Sequence, residues 1–97
     1  MITSKQRAYL RSLANTMETI LIIGKGGISD EIIVQADEAL SAREIFKGKV
    51  LETANKNAKE IANIIANRTN SDIVQVIGTK FVLYRKNNKD PRVILPK

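Results

Sequence analysis

The feature that most constrains this chain is an abrupt change of pattern at residues 20–29. An apolar run, Ile20 to Ile23, stops at Gly24-Lys25-Gly26-Gly27 and gives way at Ile28-Ser29 to apolar residues at helical spacing. A strand that ends in three glycines and turns straight into a helix brings backbone N–H groups close together, because glycine has no Cβ and accepts positive φ. Exposed backbone, a nearby ammonium and a helix N-terminus can together hold a phosphate. The rest of the chain reads as the scaffold that presents this loop.

Better-known glycine loops do not fit. The spacing G-x-x-x-x-G-K-[ST] is absent. Gly24 and Gly26 supply half of a dinucleotide fingerprint, but position 29 is Ser29, and no acidic residue closes a following strand. What remains is G-x-x-G, Gly24 to Gly27, the clamp that KH-type domains place against a nucleic-acid backbone. By spacing alone a plain strand-to-helix turn is the favoured reading, since glycine is the commonest turn former. Asp30 and Glu31 also count against phosphate there: they suit the helix dipole but repel an anion.

A chain of 97 residues holds one domain with one core, expected over residues 1–97. No apolar run approaches the roughly 20 residues of a membrane span, and the first residues have no signal-peptide core. The absence of cysteine fits a reducing compartment, so a cytoplasmic location is expected. Histidine is absent too, which removes histidine triads, Cys-His pairs and histidine-based metal sites. The carboxylates are scattered, and no acid/base couple stands out. No catalytic residue, cofactor, metal or small-molecule substrate is therefore expected. Against 10 Asp+Glu stand 16 Lys+Arg, a formal charge of +6. That excess favours a polyanionic partner, because cationic side chains release the counterions of phosphates.

Along the chain, Thr3-Ser4-Lys5-Gln6 reads as a capping box opening a helix, with Leu10, Leu13, Ala14 and Met17 as its apolar stripe. Arg7 and Arg11 share a face off that stripe. Thr19–Ile23 is a first strand, expected to be buried on both faces. Ser29 caps a second helix ending near Arg43. A second strand is expected from about Glu44 to Glu52, with Lys47 and Lys49 on one face and Phe46 and Val50 on the other. Gly48 within it marks a bulge or a close backbone approach. A third helix starts at Asn57 or Asn55 and ends at Asn70. Ile73–Ile77 and Phe81–Arg85 form a hairpin across Gly78-Thr79. Residues 87–91 form a loop, and Arg92–Pro96 a short extended tail. The order α-β-α-β-α-β-β predicts an α/β (α+β) domain: a four-stranded mixed sheet packed by three helices, with parallel pairing early and an antiparallel pair late.

The chain resembles the CRM domain, the chloroplast RNA splicing and ribosome maturation domain, in its stand-alone bacterial YhbY-type form. The resemblance rests on Lys5-Gln6-Arg7-Ala8-Tyr9-Leu10-Arg11, Ile22-Ile23-Gly24-Lys25-Gly26-Gly27-Ile28, Glu44-Ile45-Phe46-Lys47, Val74-Gln75-Val76-Ile77-Gly78 and Val82-Leu83-Tyr84-Arg85. It spans essentially the whole chain. It implies an RNA-binding fold like the C-terminal domain of bacterial translation initiation factor three. It also implies association with ribosomal RNA in precursors of the large subunit. Two departures are Met17-Glu18-Thr19, where the family often has a proline, and Gly48, where it commonly has a branched apolar residue.

The resemblance reverses the preference at Gly24–Gly27 in favour of an RNA clamp. Lys25 becomes the first candidate for phosphate contact, followed by Lys47 and Lys49, then Arg7, Arg11, Lys80 and Arg85. Arg85 has a structural alternative as a partner of Glu44. Tyr84 is either a base-stacking platform or packing. The expected protein is a monomeric, non-enzymatic RNA binder with no membrane partner. An adaptor for an acidic protein is the alternative.

Overall fold

Local capping signals fix the helix starts. In the computed structural model, which describes residues 2–89 and 91–96, helix α1 covers Ser4–Ala14. The Gln6 N–H donates to Thr3 Oγ1 at 3.1 Å, and Gln6 Oε1 accepts from the Thr3 N–H at 3.0 Å. Helix α2, Asp30–Arg43, is capped by Ser29, whose Oγ accepts the Ile32 N–H at 3.2 Å. Helix α3, Ala58–Thr69, starts at Asn57 rather than Asn55, since Asn57 Oδ1 accepts the Glu60 N–H at 2.9 Å. It stops at Asn70, which takes the left-handed conformation with φ 55°. None of these helices is long and apolar enough to cross a membrane.

The strands are β1 (Thr19–Ile23), β2 (Ile45–Val50), β3 (Asp72–Ile77) and β4 (Lys80–Tyr84). They form one mixed sheet in the order β1-β2-β4-β3, with β1 and β2 parallel and the other pairs antiparallel. Gly78 alone of the hairpin pair has positive φ, 59°, as expected of a turn with glycine first.

Strand alternation sends side chains to two cores. On one face Leu21, Ile23, Phe46, Val50, Phe81 and Leu83 meet Leu40 of α2 and Ile61 and Ile65 of α3. On the other, Ile45, Val74, Val82 and Tyr84 meet Leu10 and Ala14 of α1, with Val93 and Leu95 of the tail packed alongside. Full burial of such a side chain stabilises the fold by about 1.5–3 kcal/mol.

Two local expectations are decided by tertiary packing. Strand β1 is not buried on both faces: it lies at the sheet edge, and Ile20 and Ile22 are 40% and 56% exposed. Sheet order is a tertiary property that an apolar run does not encode. Of the two readings of Gly48, close approach is right. It pairs with Phe81 across the strands, and a Cβ there would lie 2.3 Å from Phe81 Cζ. The Phe81 ring instead meets Phe46 edge to face, centroids 6.1 Å apart. The register irregularity between β1 and β2 lies between Thr19 and Leu21.

Strand β2 begins after Glu44 because Glu44 has φ 65°, uncommon for a residue with a side chain, and closes α2 through its N–H to the Leu40 carbonyl. Its side chain is fully buried. The carboxylate accepts the backbone N–H groups of Asn87 and Val93, each at 2.7 Å, and of Arg92. Burial pushes this carboxyl up, but those three donors and the nearby Lys86 charge outweigh it, and it sits below its ordinary 4.5.

Candidate nucleic-acid interface

Strands β1 and β2 run toward the same end of the sheet, and the β3–β4 turn lies there too. That end carries the Gly24–Ser29 loop, the 51–57 loop and the starts of α2 and α3. Gly24–Gly27 is a β-turn closed by the Gly27 N–H to the Gly24 carbonyl at 2.9 Å. Lys25 and Gly26 occupy its exposed tip. The left-handed residue is Gly27, φ 63°, and Gly26 does not need positive φ. A Cβ at Gly24 would lie 3.4 Å from Leu51 Cδ1 and 3.6 Å from Thr53 Oγ1 of the neighbouring loop.

On the α1 face, β-strand pairing lines up Ile22, Lys49, Lys80 and Ile77 in one row across all four strands. Lys47, Val82 and Gln75 form the next row. Helix α1 covers only the far half of this face. The uncovered half leaves Ile22 56% and Ile77 66% exposed, and a depression of about 200 Å³ opens between Asn15, Lys47, Gln75 and Lys80. Lys49 and Lys80 stand directly opposite each other, an arrangement that destabilises a sheet. Neither they nor Lys47 take part in the ion pairs of the described residues. Arg7 and Arg11 lie on α1, on the same side of the sheet.

Two candidates have partners within the fold. Arg85 does not pair with Glu44. Its guanidinium donates to Asp37 Oδ1 at 2.6 Å, the Asp37 carbonyl at 3.1 Å, Ser41 Oγ at 2.9 Å and the Thr69 carbonyl at 2.8 Å. It braces the C-terminal ends of α2 and α3, far from the glycine turn. Tyr84 is 3% exposed within the α1-side core, and its hydroxyl titrates above the ordinary 10.0, chiefly through burial and then through the charges of Glu44 and Asp72. It is packing, not a stacking platform.

A cleft that the sequence does not announce lies between the glycine turn and α3, with Ile28, Ile61 and Ile64 inside and Asn55, Lys56 and Arg68 around it. The available signal was Ile64, one position outside the stripe that the core uses. Arg68 pairs with Asp30 at 3.6 Å, so the acidic first turn of α2 repels an anion less than its sequence suggests.

Residues 2–85 match the CRS1/YhbY (CRM) domain. The chain belongs to this family. This CRM domain is 38% identical over 96 residues to "Probable RNA-binding protein YqeI" of Bacillus subtilis, covering 99% of this chain and 100% of that one. It is 28% identical over 96 residues to an RNA-binding protein of Haemophilus influenzae, covering 99% and 96%. Among solved structures, the hypothetical protein SAV1595 of Staphylococcus aureus, described as a candidate RNA-binding protein, superposes on this CRM domain with a TM-score of 0.82. That pair shares 43% identity, with 99% of this chain and 100% of the other covered.

Proposed function

We propose that this CRM domain is a non-enzymatic, cytoplasmic RNA-binding protein that associates with ribosomal RNA in precursors of the large subunit. RNA lies across the loop end of the sheet, on the Gly24–Gly27 turn and the uncovered lysine face. The observation that carries the reading is the opposed pair Lys49–Lys80, without an ion-pair partner among the described residues, which the fold tolerates at a cost and which a phosphate backbone would neutralise. Lys25 at the turn tip and Lys47 extend the same charge, with Arg7 and Arg11 at its margin. The names of the relatives support RNA as the partner. The ribosomal precursor is what the family resemblance implies.

Filter binding to structured fragments of large-subunit ribosomal RNA tests this. Micromolar affinity is expected, and contact with about three to five phosphates should give a log–log salt slope of roughly −2 to −4. A flat salt response, or no binding at low salt, overturns the reading. The exposed Ile22 and Ile77 beside the lysines favour a second reading, an acidic protein seated on the sheet. Competitor RNA separates the two: it displaces the partner only if RNA occupies this face.

A further inference from the structure

The cleft beside the glycine turn has a composition that phosphate binding does not explain. It encloses about 360 Å³, within the range of roughly 300–1,000 Å³ typical of pockets for small organic groups. Ile61 is buried at its base, Ile28 and Ile64 are half-buried, and Asn55, Lys56 and Arg68 are exposed around them. A phosphate has no use for an apolar floor. Ile64 belongs to neither core cluster, so the fold does not account for it. Gly26, at the cleft's edge, needs no positive φ, and a Cβ there would meet no atom of the described residues within 4 Å. Neither the turn nor the packing requires glycine at 26, and what its small size preserves is open space beside the cleft.

We propose that this cleft receives one unpaired base of a single-stranded RNA segment. The ring lies against Ile28, Ile61 and Ile64, and its polar edge faces Asn55, whose amide both donates and accepts. The flanking phosphates meet Lys25 and Lys56. Single-stranded RNA suits the site because its bases can splay out of the stack and lay their π-faces on side chains, while a duplex hides them. Arg68, whose guanidinium lies 3.6 Å from Asp30, stands at the rim. The inference rests on the RNA-binding reading above and adds a base-reading element to a backbone-binding surface.

The test uses Ile64→Lys, which adds a positive charge to the cleft. The probes are fluorescein-labelled octauridylate, octaadenylate and an octamer of abasic ribose phosphate, read by polarisation. If the site holds a base, the wild type binds at least one base-bearing octamer several-fold more tightly than the abasic one. Ile64→Lys then weakens that octamer by about fivefold or more, on the scale of losing part of one apolar side chain's contact, while abasic binding is unchanged or tighter. If the cleft attracts only phosphates, Ile64→Lys tightens all three, and the proposal fails. If the wild type binds no RNA of any kind, structured ribosomal fragments included, the underlying reading fails with it. Ile64→Ala repeats the measurement should the lysine variant melt early, with a smaller loss confined to base-bearing RNA expected and an equal loss on all probes counting against the cleft.

Discussion

The two ends of the sheet are built on opposite plans. At the end where α2 and α3 finish, polar side chains are spent on the chain itself: Glu44 gathers three backbone N–H groups, and Arg85 ties Asp37, Ser41 and Thr69 together. At the end where those helices begin, Lys25, Lys49 and Lys80 make no ion pair among the described residues, and a glycine turn projects with nothing packed on its tip. Both ends are charged, so charge alone does not mark a binding surface. Whether the charge is already satisfied does. Substitutions at one end should therefore move stability and leave RNA binding alone, and substitutions at the other should do the reverse.

The largest expected effect is at the open end. Replacing Lys25 and Gly26 together by Asp should abolish RNA binding, a loss of about 100-fold or more, equal to about 2.7 kcal/mol. One attraction is removed and two like charges are set beside phosphate. Thermal melting should be nearly unchanged, because both positions are exposed and a Cβ at 26 meets none of the described residues. Wild-type affinity in filter binding would reduce Gly24–Gly27 to a turn and leave the lysine face to carry the function.

Next comes the latched end. Glu44→Gln keeps the shape but replaces a carboxylate serving three donors with one amide oxygen, and should cost about 2–3 kcal/mol in urea unfolding near neutral pH. RNA affinity below the melting temperature should hold. The wild-type contribution carries a pH signature. Since the folded carboxyl titrates below its ordinary 4.5, its stabilisation is complete above that value and is lost as pH falls through the lowered one. The Gln variant should lack this acid-side loss. Equal acid sensitivity in both proteins would show that Glu44 is not the titrating latch.

A smaller effect is expected at Arg85→Met, about 1–2 kcal/mol, because the guanidinium is partly exposed and solvent weakens its pair with Asp37. RNA affinity within about twofold of wild type assigns Arg85 to the fold. A loss of about tenfold or more returns it to the interface. The smallest effect is Lys59→Asp, on the exposed flank of α3 turned away from the cleft, where binding should weaken only slightly and stability should stay within about 0.5 kcal/mol.

What the sequence made legible was whatever short-range chemistry decides. Thr3 and Gln6, Ser29, Asn57 and Asn70 bond to neighbours within four residues, and all were readable as caps. The alternation that sets Lys47 and Lys49 against Phe46 and Val50 was equally local. The failures come from partners far apart in the chain. The exposure of Ile22 depends on α1 leaving half of that sheet face uncovered, and the partner of Arg85 lies 48 residues away. The cleft joins residues 26–28 to 55–68, and no spacing rule reports that. Glu44 was hidden for a different reason: a helix stop with positive φ is signalled by glycine or asparagine, and here a glutamate takes it.

The sheet order has a consequence for how the protein is made. Strand β4 lies between β2 and β3, although it is the last of the four to be synthesised. A chain growing from its N-terminus therefore holds β1 and β2 as an unfinished pair, with one edge of β2 unclaimed, until residues 80–84 are added. Glu44 waits longer still, since its donors Arg92 and Val93 follow it by 48 and 49 residues. The nascent chain gains little by settling early, and the domain should close in one late, concerted step. A ribosome-bound chain halted before residue 80 should remain open to protease, and one extended past residue 95 with a linker should resist it.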